Sequence, residues 1–416
     1  MLKNYLKVAF KVLLRRKFFT FISLFGISLT LLVLLVFTAL ADHIFSPQAP
    51  EVLAGRSLGI YSLGMQGKDF SNGGNAGYLF LDRFVRPLAE LPAVETVTVF
   101  TVAHTVASYH QGRKIESELR RTDGEYWRVM RFDFLEGGPF GEADDRDARF
   151  VAVISEAARE RFFGGGKALG KTIEADGQRF EVVGVVANVS LLRVAAYGDI
   201  WVPIGTAKTD SYKRELIGEF RSLIVARDRA DFPQIKAEVQ ERMVAARPLL
   251  DPNFYDRLVG GADTLFEALS RLVLGRSLEQ SHPRRLQLIL FGLAFLFLLL
   301  PTVNLVNINL SRILDRSSEI GVRRAFGASS ATLVGQFLVE NLVLTLTGGV
   351  LGLGFGALVL AGINASEVIP HARLAINFRI FLEAVATAVF FGLISGVYPA
   401  LRMSRLNPAT ALQGRS

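Results

Sequence analysis

Residues 286–362 read LQLILFGLAFLFLLLPTVNLVNI, then NLSRILDRSSEIGVRRAFGASS, then ATLVGQFLVENLVLTLTGGVLGLGFGALVLAG. The outer segments, Leu286–Ile308 and Ala331–Gly362, each exceed the ~20 apolar residues that carry a helix across the ~30 Å hydrocarbon layer of a bilayer. The middle segment, Asn309–Ser330, holds four arginines against Asp315 and Glu319. Charge at that density stays out of lipid, so the segment is a loop exposed on one side of a membrane.

Two further apolar blocks, Phe18–Leu40 and Phe378–Leu401, have the same character. The pattern predicts an integral membrane α-helical protein with four transmembrane helices, at 18–40, 286–308, 331–362 and 378–401. Residues 41–285 have ordinary globular composition and enough length to bury a core, and residues 363–377 are left as a short loop. The net charge is +8, and its placement decides its meaning. Residues 1–17 hold six Lys/Arg and no acid, the tail 402–416 holds three Arg and no acid, and 41–285 hold 32 bases against 34 acids. Basic charge confined to short flanks of membrane spans puts the N-terminus, the 309–330 loop and the C-terminus in the cytoplasm and the large domain outside. Such a distribution does not form a nucleic-acid surface, and no nucleic-acid partner is expected.

The chain has no cysteine and five scattered histidines. The outer domain therefore folds without disulfides, and neither thiolate chemistry nor a metal site is expected. The basic start followed by apolar residues 18–40 is too long for a cleaved signal's apolar core and is read as an uncleaved signal anchor. Within 1–17, Leu2, Tyr5, Leu6, Ala9, Phe10 and Leu13 share one helical face while Lys3, Lys7 and Lys11 share another. That is an amphipathic helix with lysines toward anionic lipid, or a plain basic flank that fixes topology.

The outer domain reads as α+β. Gly55–Gly77 suits loops around short strands, and Leu79–Glu90 is helical, broken by Pro87 or Pro92. Val94–Val102 and Phe150–Ile154 are strands, and Ser155–Phe163 is a Ser-capped helix. The Gly/Pro/Asp cluster in 132–149 marks a loop and a lobe boundary, Lys171–Ile204 holds short strands turned at Asp176-Gly177, and Phe232–Ala246 is a helix. Residues 262–285 carry helical apolar spacing at Leu265, Leu269 and Leu272, which predicts a stalk extending the second span outward, kinked at Pro283.

Gly165-Gly-Lys-Ala-Leu-Gly-Lys-Thr172 matches the phosphate-cradling pattern G-x-x-x-x-G-K-[ST]. That loop needs a strand before it and a helix after it, whereas here a helix precedes and strand-like residues follow, so no nucleotide site is expected. Gly348, Gly352 and Gly356 repeat a small residue every fourth position, which suits close helix packing, either within the chain or between protomers. Glu340 and Glu383 are carboxylates inside predicted spans, open to a structural role or to binding a partner helix or relaying protons.

The 309–330 loop has internal order. Ser317 or Ser318 can cap a short helix, Glu319 and Arg323 stand at i, i+4 in the favourable orientation, Gly327 can end it, and Ser329 or Ser330 caps the next span. Ile320, Val322 and Phe326, with Arg323 and Arg324 beside them, suit insertion into a cleft on a soluble partner.

The run Arg316-Ser-Ser-Glu319-Ile320-Gly321-Val322-Arg323-Arg324-Ala-Phe326-Gly327-Ala resembles the R-x-x-E-I-G-[IV]-R-[RK]-A-x-G-A signature of FtsX/MacB-type ABC transporter permeases. Phe337-Leu-Val-Glu340 is similar to the F-L-x-E that follows it in that family, and Tyr398-Pro-Ala400 with Leu406-Asn-Pro-Ala-Thr-Ala-Leu412 to its C-terminal motif. Val153-Ile-Ser155, Phe162-Phe-Gly164, Leu169-Gly-Lys171 and Phe180–Val186 resemble the end of its periplasmic core domain.

The resemblance implies a non-catalytic permease subunit in the bacterial inner membrane, with a MacB-like periplasmic core domain and an FtsX-like transmembrane domain. It implies a dimer with a second permease protomer and a separate cytoplasmic ABC ATPase that binds ATP and magnesium, this chain holding no cofactor. Further partners are membrane lipid and a periplasmic adaptor or substrate. In such proteins the loop is the coupling helix, so Arg316, Glu319, Ile320, Gly321, Val322, Arg323, Arg324, Phe326 and Gly327 are the expected ATPase contact. The expected activity is mechanotransmission for export of a peptide, antibiotic or lipidated molecule. The alternatives are an FtsX-like signalling subunit that activates a cell-wall hydrolase, and a lipoprotein-releasing permease.

Overall fold

A computed structural model describes residues 14–404, apart from Arg16, Phe70, Gln111, Gly112, Arg276, Ser277 and, in the loop, residues 316–321, 323–325, 327 and 328. The amphipathic segment expected in residues 1–17 lies almost wholly outside the described residues, as does the tail beyond Ser404. The chain divides into two compact units, one of residues 1–42, 288–366 and 374–416, the other of residues 43–287 and 367–373. The longer helices are α1 (Lys17–Phe45), α2 (Glu156–Phe163), α3 (Phe232–Ala245), α4 (Leu265–Leu274), α5 (Pro283–Asp315), α6 (Ser330–Ser366) and α7 (Phe378–Ser404).

In the helical unit, three stretches among the described residues are long and apolar enough to cross a membrane: Lys17–Phe45, Pro283–Leu300 and Val334–Ser366. The fourth apolar block lies on α7, a continuous 27-residue helix whose first two turns carry Arg379 and Glu383. Ile27 and Leu31 of α1 pack on Val343 and Leu344 of α6, with Val385 and Ala388 of α7 against them.

The second unit is built on a 14-stranded mixed sheet. Its path begins β14 (Arg257–Gly260), β2 (Leu63–Gln66), β3 (Ser71–Ala76), β13 (Phe220–Ala226) and β4 (Val94–Thr101). It continues through β6 (Arg113–Thr122), β11 (Ile200–Pro203), β8 (Val151–Ser155), β10 (Gln178–Val186) and β7 (Phe134–Gly137). Four short strands, β1 (Ser57–Ile60), β5 (His104–His110), β9 (Thr172–Ala175) and β12 (Ile217–Gly218), pair off this path. The pairs β6–β11 and β8–β10 are parallel, and the other ladders are antiparallel. β8 and β13 bury nearly every residue, which is why VAVIS and FRSLIVA read as continuous apolar runs rather than alternating ones. α3 and the helical segment 78–90 cover one core through Phe80, Leu81, Val85, Ile235 and Val239. α2 covers another through Ala158 and Phe162, and an aromatic cluster with Tyr126, Trp127 and Trp201 forms a third.

Local signals explain several elements. Ser155 Oγ accepts from the Ala158 N–H at 3.0 Å and starts α2, and Gly164 ends it in the left-handed conformation. Asp176 and Gly177 both have positive φ, 52° and 68°, the paired conformation of a two-residue hairpin turn, and Ala175 pairs with Gln178 across it.

Two expectations are corrected, and one choice between alternatives is made. Of the two prolines, Pro87 does not end the helical stretch of residues 79–90; it ends at Glu90, just before Pro92. The backbone passes from an α turn (Tyr78–Phe80) through a π segment (Leu81–Val85) into a 3-10 segment (Arg86–Glu90), where the proline sits in the first turn and needs no N–H. The 132–149 segment is no lobe boundary: it supplies β7, paired with β10, and a short helix at Glu142–Arg146. The region 262–285 is not a continuous stalk, because α4 ends at Gly275 and Pro283 begins α5 rather than kinking it.

A buried carboxylate closes one joint of the sheet. Asp123 accepts from Thr98 Oγ1 at 2.6 Å, from the Val99 N–H at 2.8 Å and from the Tyr126 N–H at 3.0 Å, with Arg86 Nη2 at 3.4 Å. Burial, opposed by Arg86 and the Thr98 and Val99 donors, pushes its pKa up to about 6. The folded state then binds this proton more tightly than the unfolded chain. The Asp123 contribution to stability is complete below pH ~4 and falls as pH rises to ~6, by up to about 3 kcal/mol. Thermal unfolding of the wild type against Asp123→Asn should show that pH-dependent difference between pH 4 and 6 and a constant difference above it. A pH-independent difference refutes the assignment.

Candidate functional site

Of the predicted coupling residues, Val322 and Phe326 fall within the described residues. The Phe326 N–H donates to the Val322 carbonyl at 3.1 Å, one turn of helix. Val322 is 45% and Phe326 88% exposed. Two apolar side chains four residues apart thus stand exposed in this loop. Arg316, Glu319, Ile320, Gly321, Arg323, Arg324 and Gly327 lie outside the described residues. On the C-terminal side, Ser329 is the residue that caps α6, its Oγ accepting from the Thr332 N–H at 3.2 Å.

The three glycines of α6 lie against α1. A Cβ on Gly348 would stand 2.6 Å from Ile27 Cγ2, one on Gly352 3.0 Å from both Leu31 Cβ and the Ser28 carbonyl oxygen, and one on Gly356 3.1 Å from Leu35 Cδ2. Each glycine receives the next apolar side chain along α1, so the small-residue stripe is filled from within the chain. Gly392 of α7 makes a similar approach to α6, where an added Cβ would lie 2.7 Å from Thr345 Oγ1.

Glu340 is buried in α6 and accepts from Gln336 Nε2 at 3.0 Å. Asn341 and Thr345 are buried beside it, and Asn341 Nδ2 lies 3.4 Å from the Gly392 carbonyl on α7. This is a polar stripe between packed helices, where side-chain hydrogen bonds replace the water that lipid cannot supply. Glu383 is different: its side chain is exposed and pairs with Arg379 one turn earlier at 3.2 Å.

Sequence reasoning missed the joint where the chain leaves α1. Glu51 is buried, and its Oε1 accepts from the Ala195 and Ala196 N–H groups at 3.0 and 3.1 Å. Arg193 stands 3.6 Å from Glu51 Oε2 and donates from Nη1 to the Ser46 carbonyl at 2.9 Å. Arg120, buried alongside, donates to the carbonyls of Thr101, Val194 and Tyr197, each at 3.0 Å. Burial pushes the Glu51 carboxyl up and the Arg120 guanidinium down, while Arg193 and the two N–H groups pull Glu51 back. These residues carry no local sequence signal, since the partners are far apart in the chain and match no motif. Beside the joint lies a cavity of about 260 Å³ lined by Phe45, Glu51, Tyr61, Met130, Leu265 and Phe266.

The phosphate-loop look-alike has the wrong geometry. α2 precedes it, Gly165 and Gly170 turn it with φ of 77° and 73°, and Thr172 opens β9. Lys171 Nζ lies over the Phe163 ring at 4.9 Å.

Long apolar helices packed through small residues, together with a large mixed-sheet domain, define a membrane permease subunit. The model of the MacB-like periplasmic core domain matches residues 20–242, and that of the FtsX-like permease C-terminal region matches 291–408. The chain belongs to the MacB/FtsX-type family of ABC transporter permeases. It is 27% identical over 79% of its length to the uncharacterized ABC transporter permease YvrN of Bacillus subtilis, of which it covers 78%. It is 29% identical over 79% of its length to the pyoverdine export ATP-binding/permease protein PvdT of Pseudomonas fluorescens, covering 47% of that protein. It is 27% identical over 72% of its length to the macrolide export ATP-binding/permease protein MacB of Pasteurella multocida, covering 43% of it. The chain thus spans less than half the length of the two relatives named for export.

Two variant sets test these packings in the full-length protein. Gly352→Leu should lower the melting temperature of the solubilised protein by several degrees, whereas Gly354→Leu, with no atom within 4 Å of its Cβ position, should not. Equal effects would remove the packing argument. Arg193→Met leaves Glu51 buried without its cation, at a cost of roughly 3–5 kcal/mol, and adding Glu51→Gln should recover a large part of that loss. Simple additivity of the two substitutions would show that the pair is not coupled.

Proposed function

We propose that this chain is the permease subunit of an ABC transporter that relays motion from a separate cytoplasmic ATPase to its periplasmic domain, driving export of a periplasmic or membrane substrate. The carrying observation is the family match of both parts of the chain together with the loop sequence Arg316–Ala328. The exposed Val322–Phe326 turn supports that loop as the ATPase contact. In this reading Glu319, Ile320, Gly321, Val322, Arg323, Phe326 and Gly327 make the ATPase contact, the apolar residues entering a cleft on the partner. Arg316 and Arg324 meet acidic groups at its rim. ATP and magnesium bind in the partner chain, in keeping with the helix-then-strand surroundings of Lys171.

The four-span topology completes the proposal, with α7 as the fourth span, the termini and the 309–330 loop in the cytoplasm, and the mixed-sheet domain in the periplasm. The charge distribution supports this orientation. Two protomers pair in the membrane, and the exposed apolar face of α5, including Leu288, Phe291, Phe295 and Leu300, is available for that pairing or for lipid. The export names of two relatives favour a peptide, antibiotic or lipidated molecule as cargo.

The loop assignment has a direct test. In membranes holding this chain and its cognate ATPase, Glu319→Ala and Arg323→Ala should each reduce permease-stimulated ATP hydrolysis at least tenfold while leaving permease expression and melting temperature unchanged. Stimulation at the wild-type level in both variants would overturn the coupling role.

A further inference from the structure

The helix α4, LFEALSRLVL, is folded inside out. An amphipathic helix on a water-soluble domain buries its apolar stripe and exposes its polar one. Here the residues α4 buries are Ser270 and Arg271, while Leu269, Leu272 and Val273 are 37%, 76% and 59% exposed. The polar face is fully engaged inside the domain. Arg271 pairs with Asp263 through two hydrogen bonds of 2.7 and 3.0 Å, and Glu267 meets Lys236 at 2.6 Å. Glu267 also completes a capping box with Thr264, accepting from its N–H at 2.8 Å. The orientation is therefore fixed by the buried Arg271–Asp263 pair and the half-buried Glu267–Lys236 pair, and turning the leucines inward would leave those charges unpaired.

What lies opposite the leucines follows from where the helix is tethered. The His282 N–H donates to Ser270 Oγ at 3.0 Å, which ties α4 to the residue immediately before Pro283. Pro283 is the first residue of a span long and apolar enough to cross a membrane. At the other end of α4, Phe266 packs edge-on against Phe45, the last residue of α1, with ring centroids 5.5 Å apart. α1 is a second such span. Both attachment points thus belong to chain that is entering or leaving the bilayer. Arg284 and Arg285 stand exposed on the first turn of α5, placed to meet lipid phosphates.

We propose that α4 is an interfacial helix, with Leu265, Leu269, Leu272 and Val273 seated at the headgroup–acyl boundary of the outer leaflet and its polar face holding the extracytoplasmic domain. The ligand is the lipid surface. A groove of about 480 Å³ beside the stripe, lined by Leu269, Leu272, Leu278, Arg221 and Asn75, gives acyl chains room to enter.

Because the chain has no cysteine, single-cysteine variants need no prior substitutions. Spin labels at Leu269→Cys, Leu272→Cys and Val273→Cys, with Lys167→Cys as a water-exposed reference, would be measured in full-length protein in phosphatidylethanolamine/phosphatidylglycerol nanodiscs. The three α4 labels should collide with oxygen several-fold more, relative to a water-soluble nickel chelate, than the label at position 167. Chelate access equal to that of the reference places the stripe in water and overturns the proposal. Shielding from both relaxers places it under protein, which also overturns it.

Discussion

The buried ion pair of Glu51 and Arg193 is the constraint on which the outer domain's attachment depends. It sits six residues beyond the end of α1 and ties the emerging chain, through Ser46 and Glu51, to residues 193–196 beside β11. A buried pair adds little net stability, because the desolvation of two charges nearly cancels their attraction. What it adds is uniqueness. Any other path for residues 46–51 would strand a carboxylate or a guanidinium in an apolar interior, so this stretch has one low-energy seat on the mixed-sheet unit. Arg120 reinforces this by spending its donors on three carbonyls, two of them in the same loop, and by stacking over Phe100.

Within the helical unit the constraint is of another kind. Lipid is as apolar as leucine, so helices gain nothing by merely hiding side chains from it. Close approach must supply the energy, and the glycines at 348, 352 and 356 permit it by receiving Ile27, Leu31 and Leu35. The buried Gln336, Glu340, Asn341 and Thr345 add a polar seam on the same helix. α6 therefore presents a small-residue face to α1 and a hydrogen-bonding face toward α7. That division explains why it is the longest helix and yet carries almost no charge.

The sequence was legible where structure is dictated locally. The Ser155 cap, the Asp176-Gly177 turn and the apolar runs of β4 and β8 each follow from a few adjacent residues, as do the long apolar blocks. It was not legible where long-range pairing overrode local signals. β7 lies in a Gly/Pro-rich stretch and is a strand because β10 offers it an edge. The 78–90 segment changes helix type ahead of Pro87, which has no N–H for an α-helical bond and whose ring would crowd the carbonyl four residues earlier, at Arg83. For the site, the loop's composition pointed to docking, and of its residues Val322 and Phe326 stand exposed. Glu51 and Arg193 gave no warning, since nothing near either residue in the chain announces its partner.

The stripe Leu265, Leu269, Leu272 shows why pattern alone misleads in a chain that crosses between solvents. Its spacing is that of an amphipathic helix, and from the sequence it was expected to extend the second span outward as a stalk. Apolar periodicity fixes which residues share a face but not which solvent that face meets. The deciding information lay in the polar residues between them: Arg271 pairs with the buried Asp263, and Glu267 with the half-buried Lys236. In a water-soluble domain such an arrangement would cost the burial of several leucines with no return. Next to a bilayer the cost disappears, because the exposed face has an apolar medium of its own to enter.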